Sequence, residues 1–165
     1  MIERTLILVK PDGVRRALTG EILVRLERPG LKLVGIKMVH ADRKLAEKHY
    51  TYEDIAVRHG EKVRNLLLDY ITEGPVVAAV FEGPGAIEVV RKICGATEPM
   101  SSPPGTIRGD YSYHGYDYCK AEGRNVRNVI HASANAEDAA REVPLWFSEE
   151  EIHSYRRSDD GEHIF

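Results

Sequence analysis

Cysteine is nearly absent: only Cys94 and Cys119 carry a thiol among 165 residues. Two cannot build a multi-bridge framework, and neither sits in a paired metal-ligand spacing, so both are expected to be reduced and structural. An excess of one charge is also missing. Against 26 acidic residues stand 23 basic ones, for a formal net charge of -3. That gives no field favouring a polyanion, so no nucleic-acid or membrane-surface partner is expected. Long apolar runs are missing too. The run Leu6 to Val9, behind the charged Met1-Ile2-Glu3-Arg4, is too brief for a signal-peptide core or a membrane span, and a cytoplasmic location is expected. Finally, no G-x-x-x-x-G-K-S/T stretch occurs. The nearest glycine fingerprint, Gly83-Pro84-Gly85-Ala86-Ile87-Glu88, lacks its third glycine, so P-loop and dinucleotide-binding readings both fail.

What is present is a 42% hydrophobic chain, enough for the core of one domain over residues 1–165 and too short for two. Thr5 to Val9 reads as a strand that stops at the turn signal Lys10-Pro11-Asp12-Gly13. Thr19 is a candidate N-cap for a helix carrying Ile22, Leu23 and Leu26, closed by Pro29-Gly30. Leu31 to Val39 has period two, with Val34, Ile36 and Met38 on one face. Asp42 caps a helix through His49 and Tyr50, and Thr51 to Gly60 reads as a loop. Val63, Leu66, Leu67, Tyr70 and Ile71 make residues 61–72 the clearest helix. Pro75 to Phe81 suits a central buried strand, and Pro84 an N1 position of a helix ending at Gly95. Residues 97–109 form a proline- and glycine-rich excursion of the functional-loop kind. Asn128 to His131 is a last strand candidate, Glu137 to Arg141 a short helix, and Trp146-Phe147 the anchor of a tail to Phe165. Alternating α and β elements indicate an α/β layer fold, with the strand direction left open. His114 and Cys119 are too few for a closed metal site.

Phosphate-competent groups are scattered along this chain: Lys10, Arg91, Thr97, Arg108, and Asn128 near His131. The segments around them resemble the nucleoside diphosphate kinase family in matching order. They include Val9-Lys10-Pro11-Asp12-Gly13-Val14, His49-Tyr50, Gly74-Pro75-Val76-Val77, Gly95-Ala96-Thr97, Pro104-Gly105-Thr106-Ile107-Arg108-Gly109-Asp110, Asn128-Val129-Ile130-His131-Ala132-Ser133 and Leu145-Trp146-Phe147. The resemblance spans nearly the whole chain. It implies a ferredoxin-like α/β (α+β) sandwich with a four-stranded antiparallel sheet covered by helices. It also implies homo-oligomers, a hexamer favoured over a tetramer, with dimers formed through an edge strand at residues 33–39 and assembled through the proline-rich loop and the tail.

The implied activity moves the γ-phosphate of a nucleoside triphosphate to a nucleoside diphosphate by ping-pong transfer through a phosphohistidine at His131. An imidazole is mostly neutral at pH 7 and needs no separate base to attack phosphorus. By the same resemblance Glu142 orients the ring, Ser133 bonds that carboxylate, and Tyr50 lies near the transferred group. Lys10, Arg91, Arg108 and Thr97 match phosphate ligands, Asn128 and Lys10 ribose contacts, and Val63 and Leu67 the base site. Mg²⁺ is the implied cofactor, with Asp54 a candidate contact through water. A loose phosphoryl transition state needs mainly positioning and charge, which dispersed cations can supply. The alternative is a non-catalytic nucleotide-binding scaffold of the same fold.

The chain departs from the family pattern in three places. The family's Pro-Phe-Phe segment is replaced by Lys62-Val63-Arg64, next to an insertion near 51–62, so the base-stacking phenylalanine is missing. A second insertion near 111–127 carries Tyr113, Tyr116 and Tyr118; it reads as a peripheral or interface loop, the alternative being that one of these tyrosines or Tyr52 takes over stacking. Ala134 stands where the family has aspartate, which removes one hydrogen bond near the histidine.

Overall fold

The structure is a computed structural model that describes residues 2–158. Phe165, the expected end of the tail, lies outside them. Strand β1 (Ile2–Val9) leads into helices α1 (Pro11–Arg15) and α2 (Thr19–Glu27), then strand β2 (Lys32–Val39). Helices α3 (Arg43–His49), α4 (Val57–His59) and α5 (Glu61–Thr72) follow, with a π-helical turn, Tyr52–Ala56, ahead of α4. After β3 (Val76–Pro84) come α6 (Ala86–Cys94), α7 (Ile107–Tyr111) and α8 (Tyr116–Ala121). Strand β4 (Ile130–Ala132) and helix α9 (Ala136–Trp146) complete the set. The sheet has four strands in the order β2-β3-β1-β4, every neighbouring pair antiparallel. The four-stranded antiparallel sheet with helices is the expected fold.

Helices cover both faces because the central strands are apolar on both. Ile7 and Val9 of β1 face one core, with Ile22 and Leu26 of α2 and Val90 of α6. Leu6 and Leu8 face the other, with Ala46 of α3, Leu68 and Ile71 of α5 and Trp146 of α9. Continuous burial of this kind is the mark of strands sandwiched between layers, and it explains why β1 and β3 show no polar alternation.

Several local expectations are corrected. Lys10 to Gly13 is no simple turn, since Pro11 occupies the first position of α1, where a missing N–H costs nothing. Thr19 is the first residue of α2 and Leu18 its N-cap. Asp42 does cap α3, accepting from the Leu45 N–H at 2.7 Å. Residues 51–60 are mostly helical, through the π turn and α4. Pro84 ends β3 opposite Ile2, and left-handed Gly85 caps α6. Helix α9 runs past Arg141 through Pro144 because Trp146 and Phe147 are drawn into the core. In β2 a bulge between Leu33 and Gly35 separates Val34, which is buried, from Ile36 and Met38, which are 49% and 65% exposed. A single extra residue moves the following side chains to the opposite face.

The last strand is shorter than Asn128–His131. Val129 has φ 56°, a left-handed conformation that is strained for a β-branched residue, and the strand begins only after it. The kink turns the Val129 carbonyl to accept from the Lys10 N–H at 2.9 Å. Gly13 permits it: a Cβ there would lie 2.9 Å from both the Val129 oxygen and Val9 Cγ1. Gly13→Ala is therefore expected to lower stability by about 1–3 kcal/mol, measured by urea unfolding. A variant as stable as the parent would show that the kink can relax.

Candidate active site

The alternation of β4 places its central residue. Ile130 and Ala132 enter the first core, so His131, paired with Leu8, projects toward α3 and α9. As β4 is a sheet edge, the ring is held on one side and 18% exposed on the other. Its Nε2 lies 2.9 Å from Glu142 Oε2 of α9. Ser133 donates to the same oxygen at 2.7 Å and accepts from the Leu6 N–H at 3.3 Å. Ser133 is thus a partner of Glu142, whereas the cap of α9 is Asn135, which accepts from the Asp138 N–H.

Glu142 is almost fully buried. Burial alone would raise its pKa, but the charge and hydrogen bond of His131, aided by the Ser133 hydroxyl, outweigh that and bring it down to about 2. An ionised carboxylate can only accept, so the Nε2 hydrogen belongs to His131, and in the neutral ring Nδ1 keeps a lone pair. Tyr50, also buried, lies with its ring centroid 6.5 Å from that of His131, and burial pushes its phenol pKa upward.

Beside this dyad is a second group, gathered from three segments. Lys10 Nζ donates to Asn128 Oδ1 at 2.7 Å, and Asn128 Nδ2 to the Thr97 carbonyl at 2.8 Å. Arg108, on α7, donates to the carbonyls of Gly95 and Ile130, both at 2.8 Å. Lys10 and Arg108 are both buried, and these partners are neutral oxygens. Burial, then the charge of Arg108, lowers the Lys10 pKa to about 7. Arg108 is itself held below the ordinary guanidinium range by burial and by Arg91, and its Nε is buried with no partner. Buried cations without carboxylates are costly to fold and are relieved by an anion from solution. Arg91 is exposed on α6, and the Thr97 side chain is exposed beside it in the loop.

The remaining expected residues are more peripheral. Leu67 packs against the second core, while Val63, one turn earlier on α5, is 37% exposed. Asp54 accepts from Thr51 Oγ1 at 2.7 Å and lies 3.5 Å from Arg141 Nη2, itself 3.7 Å from Glu142 Oε1. Tyr113, His114 and Tyr118 pack on one another and on Arg124. The backbone around them is tied to the proline-rich loop, through Met100 N–H to the His114 carbonyl and Tyr116 N–H to Glu98. Tyr52 lies beside α5, its hydroxyl donating to Glu61 at 3.0 Å. A groove of about 570 Å³ along α9, lined by Ile2, Arg4 and Pro144 among others, contains none of these residues.

Whole-chain comparisons give the family. Residues 3–152 match the family model for nucleoside diphosphate kinase. The chain belongs to the nucleoside diphosphate kinase family. It is 53% identical to the nucleoside diphosphate kinase of Borreliella burgdorferi over all of this chain and 99% of the relative. It is 50% identical to that of Pyrococcus furiosus over 96% of this chain and 91% of the relative. A structure of the Borrelia burgdorferi enzyme, a transition-state mimic with bound vanadate and ADP, superimposes with a TM-score of 0.96 at 54% identity, covering 98% of this chain and 96% of that one. An NDP kinase from Pyrobaculum aerophilum gives 0.87 at 38% identity, over 93% and 100%. The chain is accordingly an enzyme, a nucleotide-binding phosphotransferase with nucleoside-diphosphate kinase activity, and the scaffold alternative falls away.

Sequence reasoning left out the roles of four residues around the site. His49 touches His131 through its ring and Trp146 touches His49, and Arg141 binds the Lys48 and His49 carbonyls at the end of α3. Tyr70 donates to the buried Asp12 at 2.5 Å and places its ring under Lys10. His49 stood next to Tyr50 in a matching segment, which was its one sequence signal.

The Glu142 shift sets a pH dependence. A folded-state pKa below the ordinary 4.5 contributes stability that is present above that value and lost as pH falls through about 2. The gap corresponds to at most about 3 kcal/mol. Urea unfolding of the parent and Glu142→Gln should differ by a constant amount from pH 5 upward and converge only as pH falls to about 2. A difference independent of pH would mean that Glu142 acts through shape rather than charge.

Proposed function

We propose that the enzyme transfers the γ-phosphate of a nucleoside triphosphate, typically ATP, to a nucleoside diphosphate in two half-reactions through a phosphohistidine at His131, serving NTP and dNTP synthesis. The observation that carries this reading is the bond between His131 Nε2 and ionised Glu142, which leaves Nδ1 outside that bond on a ring 18% exposed at the edge of the sheet. Nδ1 bonds to phosphorus as the bond to the bridging oxygen breaks, and that electron pair leaves with the diphosphate. The Nε2 proton stays facing Glu142, whose charge answers the cation formed on the ring. In the second half-reaction a terminal oxygen of the acceptor diphosphate attacks phosphorus, and the phosphorus–nitrogen pair returns to Nδ1.

Lys10, Arg108 and Arg91 bind the phosphates, with Thr97 as a hydroxyl donor and Tyr50 near the transferred group. Lys10 and Asn128 hold the ribose, and Ser133 keeps Glu142 aimed at the ring. An arriving polyphosphate supplies the anion that buried Lys10 and Arg108 lack, so Lys10 regains its full charge on binding. Such contacts carry no base information, which favours broad base tolerance.

Mg²⁺ is the proposed cofactor. The Asp54 carboxylate, 42% exposed and close to Arg141, fits a contact through water to a hard cation that keeps most of its hydration. Bound there with the nucleotide, the ion would neutralise charge on the distal phosphates. The proposed assembly is a homo-oligomer of one-domain chains, a hexamer favoured over a tetramer, paired along β2, where Ile36 and Met38 are exposed. A cytoplasmic setting suits the two buried free cysteines. Among the described residues, no helix is long and apolar enough to cross a membrane.

The decisive experiment is incubation with γ-labelled ATP and Mg²⁺ followed by a chase with unlabelled GDP. Label is expected on the parent protein, absent from His131→Gln, and chased into GTP. Folded parent protein that never takes up label would overturn the phosphohistidine route.

The base site gives a separate expectation. Val63 covers little of a purine face, and aromatic stacking on a base is worth about 1–3 kcal/mol. Val63→Phe should lower KM for the diphosphate about fivefold or more with kcat unchanged, while Tyr52→Ala should raise it. An unmoved KM in both would place the base away from α5.

A further inference from the structure

His49 stands behind the reacting ring. Its side chain has no exposed surface, and its ring meets His131 edge to face, with centroids 4.4 Å apart and planes at 80°. On its other sides it meets Tyr50 at 4.6 Å and Trp146 at 5.7 Å, so no polyphosphate can reach it. Trp146 Nε1, which can only donate, lies 3.3 Å from His49 Nδ1. That bond fixes His49 as the neutral tautomer with its hydrogen on Nε2. Burial and the neighbouring His131 push its pKa well down in the same direction. The Nε2 atom is buried with no hydrogen-bond partner, which costs stability and is tolerated at a functional site more readily than elsewhere.

Glu142 alone cannot immobilise His131. One hydrogen bond at Nε2 fixes which nitrogen faces inward, but the ring can still swing about that bond and carry Nδ1 off the line of attack. Resting on the proposed phosphohistidine, we infer that His49 is a positioning residue: its ring, anchored by Trp146, sets the plane of the His131 imidazole so that Nδ1 points at the incoming phosphorus. Its neutrality has a second consequence. A cation at this position, 3.8 Å from Glu142 Oε1, would take up the carboxylate charge that the phosphorylated ring requires.

The test compares His49→Ala, which removes the ring, with His49→Phe, which keeps its shape. Steady-state kinetics on the folded oligomer should show kcat falling about 10- to 100-fold in His49→Ala with KM for both nucleotides unchanged. His49→Phe should recover to within about threefold of the parent. Phosphorus NMR of denatured phosphoprotein supplies an independent reading: the parent and His49→Ala should both carry the Nδ1 isomer, since Glu142 still holds Nε2, so that the lower kcat reports the aim of the ring and not a change of nucleophile. A structural role alone would lower the yield of folded protein without lowering kcat per folded site. Parent protein that takes up no label rejects the underlying phosphohistidine. Labelled parent with His49→Ala at parental kcat rejects the positioning role. Equal impairment of His49→Phe and His49→Ala would reject the ring-shape argument as well.

Discussion

A carboxylate removed from water must be surrounded by donors, and the way Glu142 meets that demand organises the second layer of this fold. Its Oε2 is satisfied by His131 from β4 and Ser133 from the segment just beyond. These two bonds dock α9 against the sheet edge at one register. Arg141, the preceding residue, then reaches the Lys48 and His49 carbonyls left over at the end of α3. Trp146, one turn further along α9, completes the contact through His49. Replacing the network with apolar residues would remove a desolvation penalty. What it supplies is a fixed position for one imidazole.

The phosphate side follows the opposite rule. Lys10 and Arg108 are buried among carbonyl and amide oxygens, and the carboxylate nearest in sequence, Asp12, is already bonded to Tyr70. The unliganded protein therefore carries a local excess of positive charge within a chain whose net charge is -3. Local placement, not composition, makes the anion site, and for that reason the overall charge gave no hint of it.

The architecture was legible where hydrophobic period and breaker residues agreed. Helix α5 is the 61–72 segment marked by its five apolar positions, and β3 is the buried run after Gly74-Pro75. The candidate site residues came from the family resemblance, since Lys10, Arg108 and His131 are too far apart in sequence for spacing alone to join them. Three features were hidden. The β2 bulge depends on pairing with β3, the length of α9 past Pro144 depends on Trp146 finding a core, and the contact of His49 with His131 depends on α3 meeting β4. Each is a tertiary contact that overrides a local signal.

A site drawn from scattered segments needs some device to hold its members in register, and here that device is backbone strain. Left-handed Val129 is the link: its carbonyl fixes the Lys10 backbone, while the residue before it presents the Asn128 amide to the Lys10 side chain. Two positions further, the strand that starts after the kink delivers His131. Strain of this kind persists only where neighbouring contacts determine the conformation more strongly than the residue's own preference. Gly13, lying against Val129 without a side chain, provides the room. The glycine after Pro11-Asp12 and the kink before His131 are thus halves of one construction, and it brings Lys10, the proposed phosphate ligand, and His131, the proposed nucleophile, into a single site without a glycine-rich phosphate loop.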